Sequence, residues 1–109
     1  MAYGLFSRVL AQPRRRDELV RYLLRAAELL HADPDCHQYL VATSGEPDVV
    51  CVFESWTDQQ AHDASLGRDD VRALIAQAGP TVAGMDEQLQ LQVHGGKGGS
   101  GWASGSDAS

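Results

Sequence analysis

The sequence predicts an α+β fold with the element order β-α-β-β-α-β. Three patterns lead to this prediction. Apolar residues recur at three- and four-residue steps over 14–32, two β-rich runs flank the turn "GEPD", and glutamine alternates with apolar residues over 87–93. The first pattern is typical of an amphipathic helix. The other two are typical of strands.

Residues 2–12 are predicted to form the first strand, because they mix aromatic and branched apolar residues at odd and even positions. A strand that is apolar at both parities is usually covered on both faces. The helix that follows begins after Pro13, a residue suited to a first helical turn. It ends near Ala32, because Pro34 disfavours helical geometry at the residue before it.

The second and third strands are predicted as "CHQYLVATS" (36–44) and "VVCVFESW" (49–56), joined by a turn rich in Gly, Pro and Asp. In a tight hairpin Cys36 lies near Trp56, and Val41 lies near Cys51. The cysteines are then separated by about 16 Å along the ladder. A disulfide requires Cα atoms within about 7 Å. We therefore expect both cysteines to be free core residues.

A helix is predicted to start at Thr57, since Thr57 and Gln60 have the spacing of a capping box. Gly67 is expected to interrupt this helix, and Asp69 can cap a second helical segment. The helical spacing of apolar residues ends within "AGPTVAG". The last strand, 87–93, then has one polar and one apolar face.

This order is the split βαβ, or ferredoxin-like, arrangement, a four-stranded antiparallel sheet with helices on one face. Several strands are apolar on both faces, so the open face also requires a cover. In a chain of 109 residues we expect that cover to be a second copy, giving a homodimer. Residues 1–94 form the predicted domain. Residues 95–109, rich in Gly and Ser, are predicted to be a flexible tail.

Composition argues against several classes of protein. A net charge of -6 argues against a nucleic-acid-binding surface. No segment approaches the roughly 20 apolar residues that span a bilayer, so no membrane association is expected. The N-terminus lacks the pattern of a secretory signal, which predicts a cytoplasmic protein with reduced cysteines.

The segment "ESWTDQQAHDASL" (54–66) contains the candidate site residues, spaced as Trp56-x5-His62-x2-Ser65. His62 and Ser65 share one helix face. An indole beside an imidazole suits a planar phenolic ligand, and histidine can remove a proton near neutral pH. The alternative is that His62 faces solvent and Trp56 is an ordinary core residue. The residues alone leave both interpretations open.

A second pair of candidates lies on the predicted strand 36–44. His37 and Tyr39 share a strand face there and could reach a pocket, although a partly buried edge pair is the alternative. The four histidines and two cysteines show neither His-x3-His nor Cys-x2-Cys spacing. No Gly-rich dinucleotide fingerprint follows a strand. The sequence therefore predicts no metal, flavin or nicotinamide cofactor.

The element order resembles the antibiotic biosynthesis monooxygenase family when combined with three segments: "GLFSRVLAQPRRRDELVRYLLRAAELL", "DPDCHQYLVA" and "FESWTDQQAHDASLGRDDVRALIAQAGPTVAG". The resemblance covers residues 2–93. It implies a homodimer whose two sheets close into a dimeric α+β barrel, with a small-molecule pocket between the sheet and helices of each subunit. Characterised members include cofactor-independent oxygenases of anthrones and quinols. The implied partners are thus an aromatic small molecule and O2.

The resemblance also guides the choice of site residues. Many members have a histidine nine residues after the tryptophan. Here that position is Ser65 and the histidine is His62, a pattern similar to "H-x-x-S-L" in quinol-monooxygenase-like members. The candidate catalytic residue is His62, and the candidate substrate-binding residues are Trp56, Ser65, Ser7, Tyr39 and His37.

Haem-degrading relatives differ from this chain at two positions. They use an asparagine where this chain has Ser7 and an axial histidine where it has Leu66, so tight haem binding is not expected.

The residues and the resemblance together lead to two candidate functions. The first is a cofactor-independent monooxygenase of a quinol, anthrone or similar aromatic molecule. The alternative is a non-catalytic dimeric barrel that binds a small hydrophobic ligand.

Overall fold

The computed structural model describes residues 2–97 and shows the predicted order of elements. The strands are β1 (Ala2–Ala11), β2 (Cys36–Ala42), β3 (Val49–Trp56) and β4 (Val82–Val93). The helices are α1 (Arg16–Leu30), α2 (Gln59–Ser65) and α3 (Asp69–Ala78), and a 3-10 turn (Gly79–Thr81) precedes β4. The predicted break at Gly67 separates α2 from α3. Most of the predicted tail, residues 98–109, lies outside the described residues.

The four strands form one antiparallel sheet in the order β2-β3-β1-β4. The register pairs Leu5 with both Glu54 and Gln90, so these side chains point to the same side. All three helices cover this side, which we call the helix face. The opposite side is called the open face. The predicted ferredoxin-like fold with helices on one face is confirmed.

Two apolar clusters attach the helices to the helix face. One packs Leu19 of α1 against Val9 and Val50, and the other packs Leu30 of α1 against Trp56. Full burial of each such side chain contributes about 1.5–3 kcal/mol. Trp56 and Val50 lie near opposite ends of β3, so the clusters leave the middle of the helix face open for a cavity.

The start of α2 differs from the capping-box prediction. The N-cap is Asp58, whose carboxylate accepts a bond of 2.8 Å from the backbone N–H of Ala61. Thr57 is still held by the residue before β2, because its backbone N–H donates to the carbonyl of Asp35 at 2.9 Å. Its hydroxyl also donates to the Asp35 carboxylate. The prediction was wrong by one residue, because Thr57 is bound to Asp35 just beyond the β2–β3 ladder.

Strand β4 begins five residues before the predicted start, at Val82 rather than residue 87. Two register irregularities let β4 follow β1 to its end, where Ala11 pairs with Val82. The backbone N–H of Gln12 also donates to the carbonyl of Thr81. The irregular pairing and Gly84 disrupt the alternation, which is why the sequence pattern did not reveal this half of the strand.

The hairpin holds the cysteines apart, as predicted. Cys36 lies opposite Trp56, and Cys51 lies opposite Ala42 rather than Val41. The shift of one residue comes from a bulge between Cys36 and Gln38. Both cysteines are free. No helix among residues 2–97 is long and apolar enough to cross a membrane.

Candidate active site

Two adjoining cavities lie on the helix face. The inner cavity, of about 110 Å³, is enclosed by the three helices. The outer cavity, of about 390 Å³, lies between α2 and β4 and is more open to solvent. Its volume falls within the range of about 300–1,000 Å³ that is usual for small-molecule sites. Five side chains line both cavities and form the wall between them: Leu23, Tyr39, Glu54, His62 and Leu66.

Glu54 is the acidic residue in this wall. It follows Val50 and Val52 on the helix face of β3, in an otherwise apolar row that ends at Trp56. Its side chain is only 12% exposed, and its Oε1 accepts a bond of 3.1 Å from the indole N–H of Trp56. Burial raises the pKa of the Glu54 carboxyl, while the indole bond and nearby His62 oppose that effect. Glu54 therefore holds a proton more readily than an exposed glutamate.

His62 projects from the first turns of α2 into the same wall. Its side chain is 12% exposed, so it lines both cavities rather than facing solvent. The imidazole lies between two carboxylates: Nε2 is 3.8 Å from Oε1 of Glu54, and Nδ1 is 2.9 Å from Oδ1 of Asp63. The rings of Tyr3 and Trp56 each lie 5.6 Å from it, centroid to centroid. These contacts fix the ring beside Glu54.

Tyr39 and the two serines occupy different parts of the site. Tyr39 lines both cavities, and burial raises the pKa of its phenol, so it is a neutral hydrogen-bond donor. Ser65 lines the inner cavity, but its hydroxyl donates to the backbone carbonyl of His62 at 2.6 Å. Ser7 lines the outer cavity and accepts a bond of 3.2 Å from the amide of Gln88. The structure thus brings these three candidates to the cavities that His62 lines.

Trp56 and His37 do not line either cavity. Trp56 is fully buried and contributes from behind, holding Glu54 and contacting the ring of His62. His37 lies at the bulge in β2, with Nε2 3.2 Å from the hydroxyl of Thr57. His37 and Tyr39 were predicted to share a strand face, which requires regular alternation of side chains along β2. The bulge breaks that alternation, so Tyr39 points to the cavities while His37 contacts the end of β3.

Glu54 is the site residue that sequence reasoning missed. The signal was present, because a lone carboxylate among apolar residues on one strand face must be paired, protonated or functional. Its contact with His62 could not be read from the sequence, because it depends on how α2 packs against β3. Together Glu54 and His62 can accept a proton from a bound ligand and stabilise the positive charge that results. Residues 2–97 contain no group of three or more His, Cys, Asp or Glu side chains that could hold a metal ion.

The fold and the site define a small ferredoxin-like domain with a buried histidine–glutamate pair beside a cavity of a volume usual for small-molecule sites. A family model described as antibiotic biosynthesis monooxygenase matches residues 4–77. The chain belongs to this family. No curated protein sequence matches the chain significantly.

Solved structures agree with this assignment. A crystal structure assigned to the same family from Chloroflexus aurantiacus J-10-fl is 33% identical, with a TM-score of 0.83 over 91% of this chain and 99% of that chain. Another from Caulobacter crescentus CB15 is 27% identical, with a TM-score of 0.78 over 86% and 91% of the two chains. Rv0793 from Mycobacterium tuberculosis shares the fold at 18% identity, with a TM-score of 0.75 over 89% and 99%.

Proposed function

We propose that the protein is a monooxygenase that oxidises a quinol, an anthrone or a similar electron-rich aromatic molecule with O2, without a metal or flavin. His62 is the general base. The observation that carries this proposal is the buried pair of His62 and Glu54 in the wall shared by the two cavities. Membership of the family supports a monooxygenase, and the pair supports a reaction that begins with proton removal.

The first step is proton transfer from the substrate to His62. When Nδ1 carries the ring proton it donates to Asp63, and Nε2 is left as the base on the cavity side. The imidazolium formed then lies 3.8 Å from Oε1 of Glu54 and 2.9 Å from Oδ1 of Asp63, so a carboxyl group flanks the ring on each side. The neutral hydroxyl of Tyr39, in the same wall, can donate a hydrogen bond to the substrate oxyanion.

The second stage is reaction of the substrate anion with O2. One electron passes from the anion to O2, and the radical pair combines to form a carbon–oxygen bond, giving a hydroperoxide after protonation. Loss of water converts the carbon that bears the hydroperoxide into a carbonyl. One oxygen atom enters the product and the other leaves as water, so no external reductant is required. The apolar side chains in the cavity, such as Leu23 and Leu66, limit access of water to the intermediates.

The active form is proposed to be a homodimer joined through the open face. Leu40, Phe53, Phe6 and Leu89 are paired in one row across all four strands on that face. Leu40 and Leu89 are 55% and 47% exposed in the single chain. An apolar row of this length favours burial against a second copy of the same sheet, because a symmetric interface uses the same patch twice.

The test is O2 uptake by metal-stripped protein with a panel of hydroquinones and anthrones. We expect one O2 consumed per product, one labelled oxygen atom in the product from isotopically labelled O2, and no accumulation of hydrogen peroxide. Release of peroxide in equal amount would indicate an oxidase. Tight binding across the panel without any O2 uptake would replace the proposal with a non-catalytic barrel that binds a small hydrophobic ligand.

A further inference from the structure

The polar face of β4 lies on the cavity side of the sheet. Gln88, Gln90 and Gln92 pair with Ser7, Leu5 and Tyr3 of β1, whose side chains also point to the helix face. Gln88 and Gln90 line the outer cavity, whereas Gln92 is not among its lining residues. These two amides, together with Met85, therefore form the β4 side of the cavity, across β1 from Glu54.

Both amides are held by the cavity floor. The side-chain N–H of Gln88 donates to the hydroxyl of Ser7 at 3.2 Å, and that of Gln90 donates to the hydroxyl of Tyr3 at 3.4 Å. A carboxamide has two N–H donors and one carbonyl acceptor. Each amide therefore retains a donor and an acceptor for a ligand after making its bond to the floor. The ring of Tyr3 also contacts His62, so the amides and the base share one support.

The spacing of these groups indicates the size of the ligand. Glu54, Leu5 and Gln90 are directly paired on neighbouring strands, with apolar Leu5 in the middle. Two strand spacings correspond to about 10 Å. This distance is comparable to the length of a two- or three-ring aromatic molecule that carries oxygen atoms at both ends.

The charges around the outer cavity indicate the charge of the ligand. Among the described residues that line it, Glu54 and Asp63 are acidic and none is lysine or arginine. Apart from His62, which takes the substrate proton in the proposed mechanism, no described lining residue can pair with an anionic group of the ligand, so a permanent anionic substituent at the glutamine end is disfavoured. A neutral carbonyl or hydroxyl group finds both a donor and an acceptor in the two amides.

We propose that Gln88 and Gln90 form a polar subsite that binds the oxygen substituents of an uncharged aromatic ligand, at the edge of the ligand farthest from Glu54. The subsite selects neutral oxygenated polycyclic molecules over their carboxylated or sulfonated forms. This inference rests on the proposed function for the placement of the ligand, and it adds a preference for uncharged members of that substrate class and two specificity-determining residues.

The experiment measures binding by titration calorimetry with two probes that are already oxidised, so that binding is separated from turnover. The probes are a dihydroxyanthraquinone and its sulfonated analogue. We expect the wild type to bind the sulfonate at least about tenfold more weakly. Gln88→Leu and Gln90→Leu should each weaken binding of the neutral probe by about 3- to 10-fold, the effect of one or two lost hydrogen bonds. Gln92→Leu is the matched control and should bind like the wild type.

The outcomes separate this inference from the proposed function. Unchanged binding in both cavity variants, or tighter binding of the sulfonate by the wild type, overturns the amide subsite even if O2 uptake is observed. Failure of the wild type to bind either probe also overturns it. Weakened binding in both variants with no O2 uptake on any quinol supports the subsite and counts against the monooxygenase alone. Thermal unfolding of each variant establishes that a loss of binding is not a loss of fold.

Discussion

Two adjacent rows of side chains, one on each face of the sheet, show how differently the faces are built. On the helix face the paired row is Tyr39, Glu54, Leu5 and Gln90, and on the open face it is Leu40, Phe53, Phe6 and Leu89. In these two rows, polar groups lie on the side that the helices cover and the apolar side chains face solvent. A domain that worked alone would be more stable with the opposite arrangement, since apolar burial stabilises and polar burial costs free energy.

The contrast supports the proposal that the two faces serve different purposes. A buried carboxylate beside His62 is costly for folding, so its presence favours a chemical role over a structural one. The open row has no polar group to satisfy, and a second sheet can cover it without loss of hydrogen bonds. We therefore propose that the helix face is the side for chemistry and that the open face is the side for association. The following variants test that division.

The largest expected effect is on catalysis at the helix face. His62→Ala should lower turnover by about 10²–10⁴-fold on an active substrate, the range typical of a lost acid–base group. The melting temperature should change by only a few degrees, because His62 lines cavities and fills little core volume. His31→Ala, at the exposed end of α1, is the control and should leave turnover unchanged. Equal turnover in the His62 variant and the wild type would remove the base from the mechanism.

The next effect concerns association through the open face. Leu89→Lys places a charge in the apolar row and should raise the dimer dissociation constant by at least about 100-fold, because an unpaired charge in an interface costs about 3–5 kcal/mol. Leu24→Lys is the matched control, since Leu24 is 48% exposed on α1 and Leu89 is 47% exposed on β4. Sedimentation velocity over a concentration series distinguishes them. A wild-type monomer at micromolar concentration would contradict the proposed division of faces.

The fold could be predicted because its signals are local. The apolar stripe of α1, the two strands around the "GEPD" turn and the break at Gly67 each depend on residues close in the chain. The errors arose where pairing with another strand decides the outcome. Thr57 remains tied to Asp35, so α2 starts one residue later than the capping box suggests. Strand β4 extends to Val82 because β1 offers partners there.

The site was predicted less completely because it depends on which face each side chain occupies. Alternation showed that β4 has a polar and an apolar face, but it could not show that the glutamines face the cavity and the leucines the open side. The bulge in β2 separated His37 from Tyr39 in the same way. Glu54 was missed because its importance comes from contacts with His62 and Trp56, which only the folded chain brings together.

A smaller effect, on the melting temperature, is expected from the free-energy cost of burying the Glu54 carboxylate on the helix face. Below the ordinary glutamate pKa of about 4.3 the carboxyl is protonated in the folded and unfolded states, and its burial adds no charge penalty. As pH rises from there through the raised pKa of the folded state, the unfolded state ionises first and stability is lost.

Glu54→Gln removes this penalty. The glutamine side chain keeps an oxygen that can accept from the Trp56 N–H, and its amide group stays near His62 and Tyr39. Its melting temperature should exceed that of the wild type by a few degrees at neutral pH, and the gain should vanish near pH 4. Asp63→Asn is the control, since Asp63 is 61% exposed on the other side of His62 and incurs little desolvation. A gain that is independent of pH would show that burial of the charge is not its cause.

The smallest expected effect comes from the tail, because neither face should require it. Truncation after His94 removes residues 95–109, in which Trp102 is the only large apolar side chain. A segment rich in Gly and Ser has too little apolar surface to offset the entropy lost on ordering. We therefore expect the melting temperature and the dimer dissociation constant to stay within error of the full chain, measured by thermal unfolding and sedimentation. A melting temperature lower by several degrees, with dimerisation unchanged, would place Trp102 on the subunit surface. Weaker dimerisation would place it at the open face and extend the association surface beyond the sheet.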